Sequence, residues 1–175
     1  LISDGNENAG KYYGIMKEEL NRIELILNEL LALAKPNEMK MTRHNISELL
    51  QDVVVLLQTQ ATLNNVEILF SSSEEPVHIQ CDGHKIKQLF INLIKNAIEA
   101  MPEGGNVWIE QIRCNEWVKV KIRDNGVGIP EEILEKIGQP LFTKKSTGTG
   151  LGLSICYQIT EYHKADIQVA SEVGK

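Results

Sequence analysis

The chain has 175 residues, 42% apolar and 24% charged, enough for one ordinary soluble domain plus a smaller piece. Its net charge of −6 excludes nucleic acid as a main partner, because phosphate backbones demand basic stripes. No apolar run approaches the roughly 18 residues of a membrane span. No signal peptide is visible, so this region reads as cytoplasmic, with membrane attachment of the intact protein left open.

Residues 1–10 are polar and read as a loose end. Met16, Leu20, Ile23, Leu27, Leu30 and Ala34 then recur at four-three spacing, the seam of a coiled coil, and Pro36 ends that helix. Ile26, Leu31 and Leu33 widen the seam, so the helix is expected in a bundle, by self-association, with an upstream helix, or both. Residues 39–45 read as an edge strand, and a helix starting near Ser47 runs to Thr62. Residues 66–70 and 77–81 read as strands. Asp82 is a good N-cap for a helix that continues to Met101 and stops at Pro102. Residues 107–113 and 117–123 form a hairpin, with Val118, Val120 and Ile122 alternating against Lys119, Lys121 and Arg123. A short helix over 131–137, a polar loop over 138–150, a helix to Tyr162 and a strand over 167–170 follow. The class is α+β, helices set against a largely antiparallel sheet.

Three stretches carry chemistry. Between Gln88 and Ala100, Leu89, Phe90, Leu93, Ile94 and Ala97 form an apolar helix face, and Lys85, Gln88, Asn92, Asn96 and Glu99 form a polar stripe. Asn is a mediocre helix former, so two of them one turn apart point to a ligand-facing stripe. Their amide oxygens can ligate Mg²⁺ that already carries triphosphate oxygens, without adding repulsion. In Asp124-Asn125-Gly126-Val127-Gly128 the glycines permit close approach by a flat ligand. The carboxylate there can accept from an exocyclic amine such as that of adenine, although Asp-Asn-Gly is also an ordinary tight turn. Gly148-Thr149-Gly150-Leu151-Gly152 leads into a helix whose bare amides attract phosphate, with Lys145 as a companion cation. It has neither P-loop nor Rossmann order, and alone it could be a mere loop and helix cap. Cys81, Cys114 and Cys156 read as free thiols, and the four histidines make no metal-spaced pair.

In this order the stretches resemble the N box and the first glycine box of sensor histidine kinases. Pro140-Leu141-Phe142-Thr143-Lys144-Lys145 is similar to their F box, and the run from Gly148 to Leu153 to their second glycine box. Residues 39–175 thus resemble the catalytic ATP-binding domain shared with gyrase, Hsp90 and MutL, and residues 1–38 the second helix of a dimerisation and histidine-phosphotransfer domain. The wording is most similar to sporulation-type sensor kinases. The resemblance implies a two-layer α/β sandwich, the GHKL or Bergerat ATP-binding fold. Its five-stranded mixed sheet would carry three helices on one face, preceded by a helix of a dimeric four-helix bundle. It implies ATP and Mg²⁺ as cofactors, with Asn96 the main metal ligand and Asn92 assisting. Asn92, Asn96 and Lys145 would be catalytic. The nucleotide would also meet Asp124, Gly126, Gly128, Ile129, Phe142 (anchoring a mobile lid), Thr143, Thr147, Gly148, Thr149, Gly150, Leu151 and Gly152. Implied partners are a response regulator, a second copy through the bundle helix, and a protein inhibitor acting on the bundle.

Related ATPases carry a glutamate where this chain has Asn92, and an amide cannot activate water at neutral pH. Phosphoryl transfer is therefore expected over hydrolysis. No histidine lies in the His-Glu-x-x-x-Pro-like context of a phospho-acceptor, so the acceptor helix and the final strand are expected outside the chain. Autophosphorylation of this piece alone is not expected. Glu99 stands where many relatives place Lys or Arg, which departs from the pattern. The rival readings are a nucleotide-binding or dimerisation module without transfer activity, and a hydrolytic ATPase of the same superfamily.

Overall fold

The computed structural model describes residues 10, 12–17, 19–21, 23, 24, 26, 27, 31, 39–73, 75–143 and 148–174. The chain divides into two units, residues 1–37 and 38–175. In the first, every described residue is helical, and Met16, Leu20, Ile23, Leu27 and Leu31 are each more than half exposed. Leu30, Ala34 and Pro36 lie outside the described residues.

The second unit opens with β1 (Thr42–Asn45) and α1 (Ile46–Leu63). Asn45 caps α1 by accepting the Ser47 amide at 3.1 Å, and its own amide donates to Glu48 at 3.1 Å. Asn65, in the left-handed region at φ 55°, turns the chain into β2 (Val66–Ser71). β3 (His78–Cys81) and α2 (Gly83–Glu99) follow, then the hairpin of β4 (Gly105–Cys114) and β5 (Trp117–Asp124). α3 (Glu131–Leu134) is one turn, shorter than the expected 131–137, and α4 (Gly152–Tyr162) is the last helix among the described residues.

The expected single sheet is laid out as two ladders. β1 pairs antiparallel with β3, while β2, β4 and β5 form a mixed sheet in that order. β2 runs parallel to β4, in register from Val66 opposite Gly105 to Ser71 opposite Glu110, because β3 and α2 cross over between them. β4 and β5 pair antiparallel from Cys114 opposite Trp117 to Val107 opposite Asp124. Residues 167–170, expected as a strand, form none. α1 packs on β2 and α2, and α2 on α4. Leu50, Val53, Ile94, Ile98, Val107, Ile109 and Leu151 fill the core between these layers. Burying one such side chain contributes about 1.5–3 kcal/mol. Leu93, expected on the apolar face, is only half-buried, one turn from Asn96, whereas Ile86 and Ile98 are buried.

Candidate functional site

α2 begins at Asp82, which is buried and accepts backbone N–H bonds from His84 and Lys85 at 3.1 Å each. A third, from Lys40 at 3.1 Å, ties β1's approach to the same carboxylate. Burial by itself would raise the Asp82 pKa. The bonds from Lys85, Lys40 and His84, with the charge of His84, outweigh it and hold the carboxyl below its ordinary value.

Three polar contacts then set α4 antiparallel against α2. The Asn92 amide nitrogen donates to the Gly152 carbonyl at 3.1 Å, at the start of α4. One turn along, the Cys156 thiol reaches the Leu89 carbonyl at 3.8 Å. At the far end the Asp82 backbone N–H donates to His163 Nε2 at 3.0 Å, while His163 Nδ1 donates to the Ile159 carbonyl at 2.7 Å. Both ring nitrogens of His163 are thereby used, and the ring is the neutral Nδ1–H tautomer.

The first glycine stretch is fastened to the other end of α2. Val127 N–H donates to the Ala100 carbonyl at 3.0 Å, and a Cβ on Gly126 would lie 2.5 Å from that same oxygen. Asp124 accepts the Gly126 amide at 3.0 Å and shapes the turn. Gly128 lies at φ 74°, where a Cβ would meet the Glu172 carbonyl at 2.4 Å. Both glycines are thus demanded by the chain's own packing, a reason additional to approach by a ligand. Ile129 N–H donates to Ser171 Oγ at 2.8 Å, and Gly174 N–H to the Val127 carbonyl at 3.3 Å.

Asn92 and Asn96 on α2 and Ala100 at its C-cap therefore stand in one row, each a turn from the next. One end of the row touches the second glycine stretch and the other the first. Eight residues of helix rise about 12 Å, so two glycine-rich backbones are held about that far apart with Asn96 between them.

In the second stretch, Leu151 is fully buried and its N–H donates to Thr149 Oγ1 at 3.3 Å. Gly150 lies at φ 72°, where a Cβ would meet the Leu141 carbonyl carbon at 2.5 Å. Residues 141 and 142 thus abut this stretch, Phe142 is half-buried, and its N–H donates to Gln139 at 3.2 Å. Thr143 is exposed and Gly148 half-buried. α1 and α2 have side-chain caps at Asn45 and Asp82, whereas Leu151, the N-cap residue of α4, makes no side-chain cap bond. Lys145 and Thr147 lie outside the described residues.

Among the described residues no group of three His, Cys, Asp or Glu could hold a metal ion. A divalent cation here would therefore rely on amide oxygens and on a ligand's own oxygens. The Asn92 nitrogen is engaged by the Gly152 carbonyl, and its oxygen is the end whose chemistry suits a hard cation. Burial pushes the Cys156 thiol up to about 12 despite a hydrogen bond from Asn92 that lowers it. The sequence offered no pointer to Ser171, Glu172, Cys156 or His163 as supports of this site, since each acts from a distant element.

Two glycine-rich stretches, fastened at the two ends of one asparagine row, make the candidate site of a two-layer α+β domain. Residues 81–175 match the family of histidine kinase-, DNA gyrase B- and HSP90-like ATPases, and the chain belongs to it. Sporulation kinase A of Bacillus subtilis (strain 168) is 45% identical over 173 residues, covering 98% of this chain and 28% of that protein. Sporulation kinase C of the same organism is 42% identical over 165 residues, covering 94% and 39%. The chain spans no more than about two fifths of the length of these curated relatives. The nucleotide-free catalytic domain of histidine kinase ThkA superposes with a TM-score of 0.67 at 41% identity, covering 71% of this chain and 82% of that one. ThkA in complex with the response regulator protein TrrA gives 0.74 at 37% identity, covering 89% and 45%. No helix among the described residues is long and apolar enough to cross a membrane.

Proposed function

We propose that this chain is the ATP-binding core of a sporulation-type sensor histidine kinase, passing the γ-phosphoryl group to a histidine that the chain itself does not supply. The observation that carries the reading is the Asn92–Asn96–Ala100 row, gripped at its two ends by the two glycine stretches. Adenine would lie at the Asp124–Ile129 end, where the Asp124 carboxylate accepts from the exocyclic amine. The phosphates would lie at the start of α4, against the amides from Gly148 to Gly152, with Lys145, Thr143 and Thr147 from the loop between. Asn96 and Asn92 would hold Mg²⁺, which when bound neutralises developing charge on the phosphate oxygens.

In the transfer, an imidazole nitrogen of the acceptor forms a bond to the γ-phosphorus as the bond to the β–γ bridging oxygen breaks, and ADP leaves. Such a reaction needs positioning and charge stabilisation more than covalent help from the protein. Asn92 supports transfer over hydrolysis, because an amide offers no basic oxygen to deprotonate water. The exposed Leu20, Ile23, Leu27 and Leu31 of the first unit supply the seam for a second copy and a docking face for a response regulator, a partner kind seen with ThkA. The site itself would work in the cytoplasm, where ATP and the regulator are present.

The test mixes the chain with radiolabelled ATP, Mg²⁺ and a separately supplied helical hairpin bearing the acceptor histidine. Acid-labile, base-stable label on the hairpin supports the proposal. ATP binding without transfer would leave only a nucleotide-regulated module, and free phosphate alone would indicate an ATPase.

A further inference from the structure

Just before the second glycine stretch the chain makes a tight turn that carries an exposed leucine in a strained backbone. Phe142 N–H donates to the Gln139 carbonyl at 3.2 Å, and Leu141 lies in the left-handed region at φ 67°. The ring of Pro140 forbids a positive φ there, so a turn with Leu141 as its third residue is type II. That third position normally falls to glycine or asparagine, because a Cβ crowds the neighbouring carbonyl in this conformation. Burial does not offset the strain, since Leu141 is 60% exposed.

The turn is held firmly at both shoulders. A Cβ on Gly138 would meet the Tyr157 ring of α4 at 2.6 Å, and a Cβ on Gly150 the Leu141 carbonyl carbon at 2.5 Å. The leucine therefore stands at a set place beside the stretch assigned to the phosphates. No residue from Ile137 to Thr143 is charged. Strain without burial, at a rigid and uncharged point, is accounted for when a partner covers the side chain. The partner that must come to this end of the site is the one whose histidine attacks the γ-phosphorus. A bundle helix brings apolar side chains to match Leu141, whereas a regulator's acidic acceptor would find no cation from Ile137 to Thr143.

We propose that Leu141 is a docking contact for the acceptor-bearing helix, a fixed apolar knob that seats its histidine over the γ-phosphate. The proposal rests on the kinase reading above.

The experiment follows transfer from radiolabelled Mg·ATP to the supplied acceptor hairpin, at varied hairpin concentration, by the whole chain and by Leu141→Gly, Leu141→Asn and Leu141→Met. Glycine and asparagine suit the turn, so both variants should melt no lower than the unaltered chain and bind Mg·ATP within about twofold in calorimetry. Loss of one leucine contact should raise the hairpin KM about five- to thirtyfold in both, with kcat at saturation within about twofold. Leu141→Met keeps an apolar knob and should stay within about threefold of the unaltered KM. An unchanged hairpin KM in Leu141→Gly and Leu141→Asn would overturn the inference and leave the kinase reading intact. A loss that follows weaker Mg·ATP binding or a lower Tm would also overturn it, by assigning Leu141 to the nucleotide or to the turn itself. No label on the hairpin from the unaltered chain would remove both.

Discussion

Replacing Asp82 by alanine tests how α2, and with it Asn92 and Asn96, is held in place. The carboxylate accepts three backbone N–H bonds, from His84, Lys85 and Lys40, each at 3.1 Å, while only 9% exposed. Loss of an N-cap costs about 0.5–2 kcal/mol, and stranding the part-buried Lys40 donor about 1–3 more. The contributions overlap, so the expected loss is about 2–4 kcal/mol. For a unit of this size that is a fall in Tm of about 6–14 °C. Urea unfolding from pH 3 to 8 supplies the assay, with Asp82→Asn as a companion that keeps an acceptor oxygen and loses the charge. Burial raises the Asp82 pKa, but the backbone bonds and His84 lower it further, so the folded value lies below the unfolded one. The stabilisation is therefore complete above the unfolded carboxylate pKa of about 3.9 and drains away as pH falls through the lower folded value. The gap between the unaltered chain and Asp82→Ala should be level from pH 5 to 8 and narrow toward pH 3. A gap below about 1 kcal/mol at pH 7, or one that widens in acid, would refute the account.

Asn92→Glu places a carboxylate at the start of the asparagine row, so release of free phosphate from ATP should rise; unchanged turnover in a phosphate-release assay would show that a base here is not what separates transfer from hydrolysis. Gly126→Ala would drive a Cβ to 2.5 Å from the Ala100 carbonyl and should cost about 1–3 kcal/mol in denaturant unfolding. Gly128→Ala should cost more, because it combines a 2.4 Å clash with Glu172 and a φ of 74°; equal stability to the unaltered chain would mean that the tail does not brace this loop. Of the free cysteines, Cys114 is exposed whereas Cys81 and Cys156 are buried, and burial pushes Cys156 up to about 12. A thiol reagent at pH 8 should therefore modify Cys114 alone at first and the other two only on unfolding; rapid native labelling in a Cys114→Ser variant would contradict this.

Much of the second unit was legible because its signals are local. The Asp82 cap, the Asn-bearing helix and the β4–β5 hairpin each rest on residues within a few positions of one another, and each formed within two residues of its expected bounds. Leu93 departs because a 3.6-residue period marks a face and not its edge, and the half-buried row of Asn92 and Asn96 lies beside it. The strand expected at 167–170 failed for a different reason. Alternation reports side-chain preference, but a ladder requires a neighbouring backbone, and residues 171–174 instead fasten to the loop from Val127 to Ile129.

The candidate site divides in the same way. Asn92, Asn96, Asp124 and the two glycine stretches declare themselves by residue type, since amides at one-turn spacing and clustered glycines have few other uses together. Sequence alone thereby named the groups proposed to meet a nucleotide, and their order along the chain. Only the tertiary structure decided that the two glycine stretches grip opposite ends of one row, about 12 Å apart. It also decided that Cys156, His163, Ser171 and Glu172 brace them. These braces join residues 42 to 81 positions apart through single hydrogen bonds or backbone contacts, which depend on how helices and loops pack and leave no periodic trace in the chain.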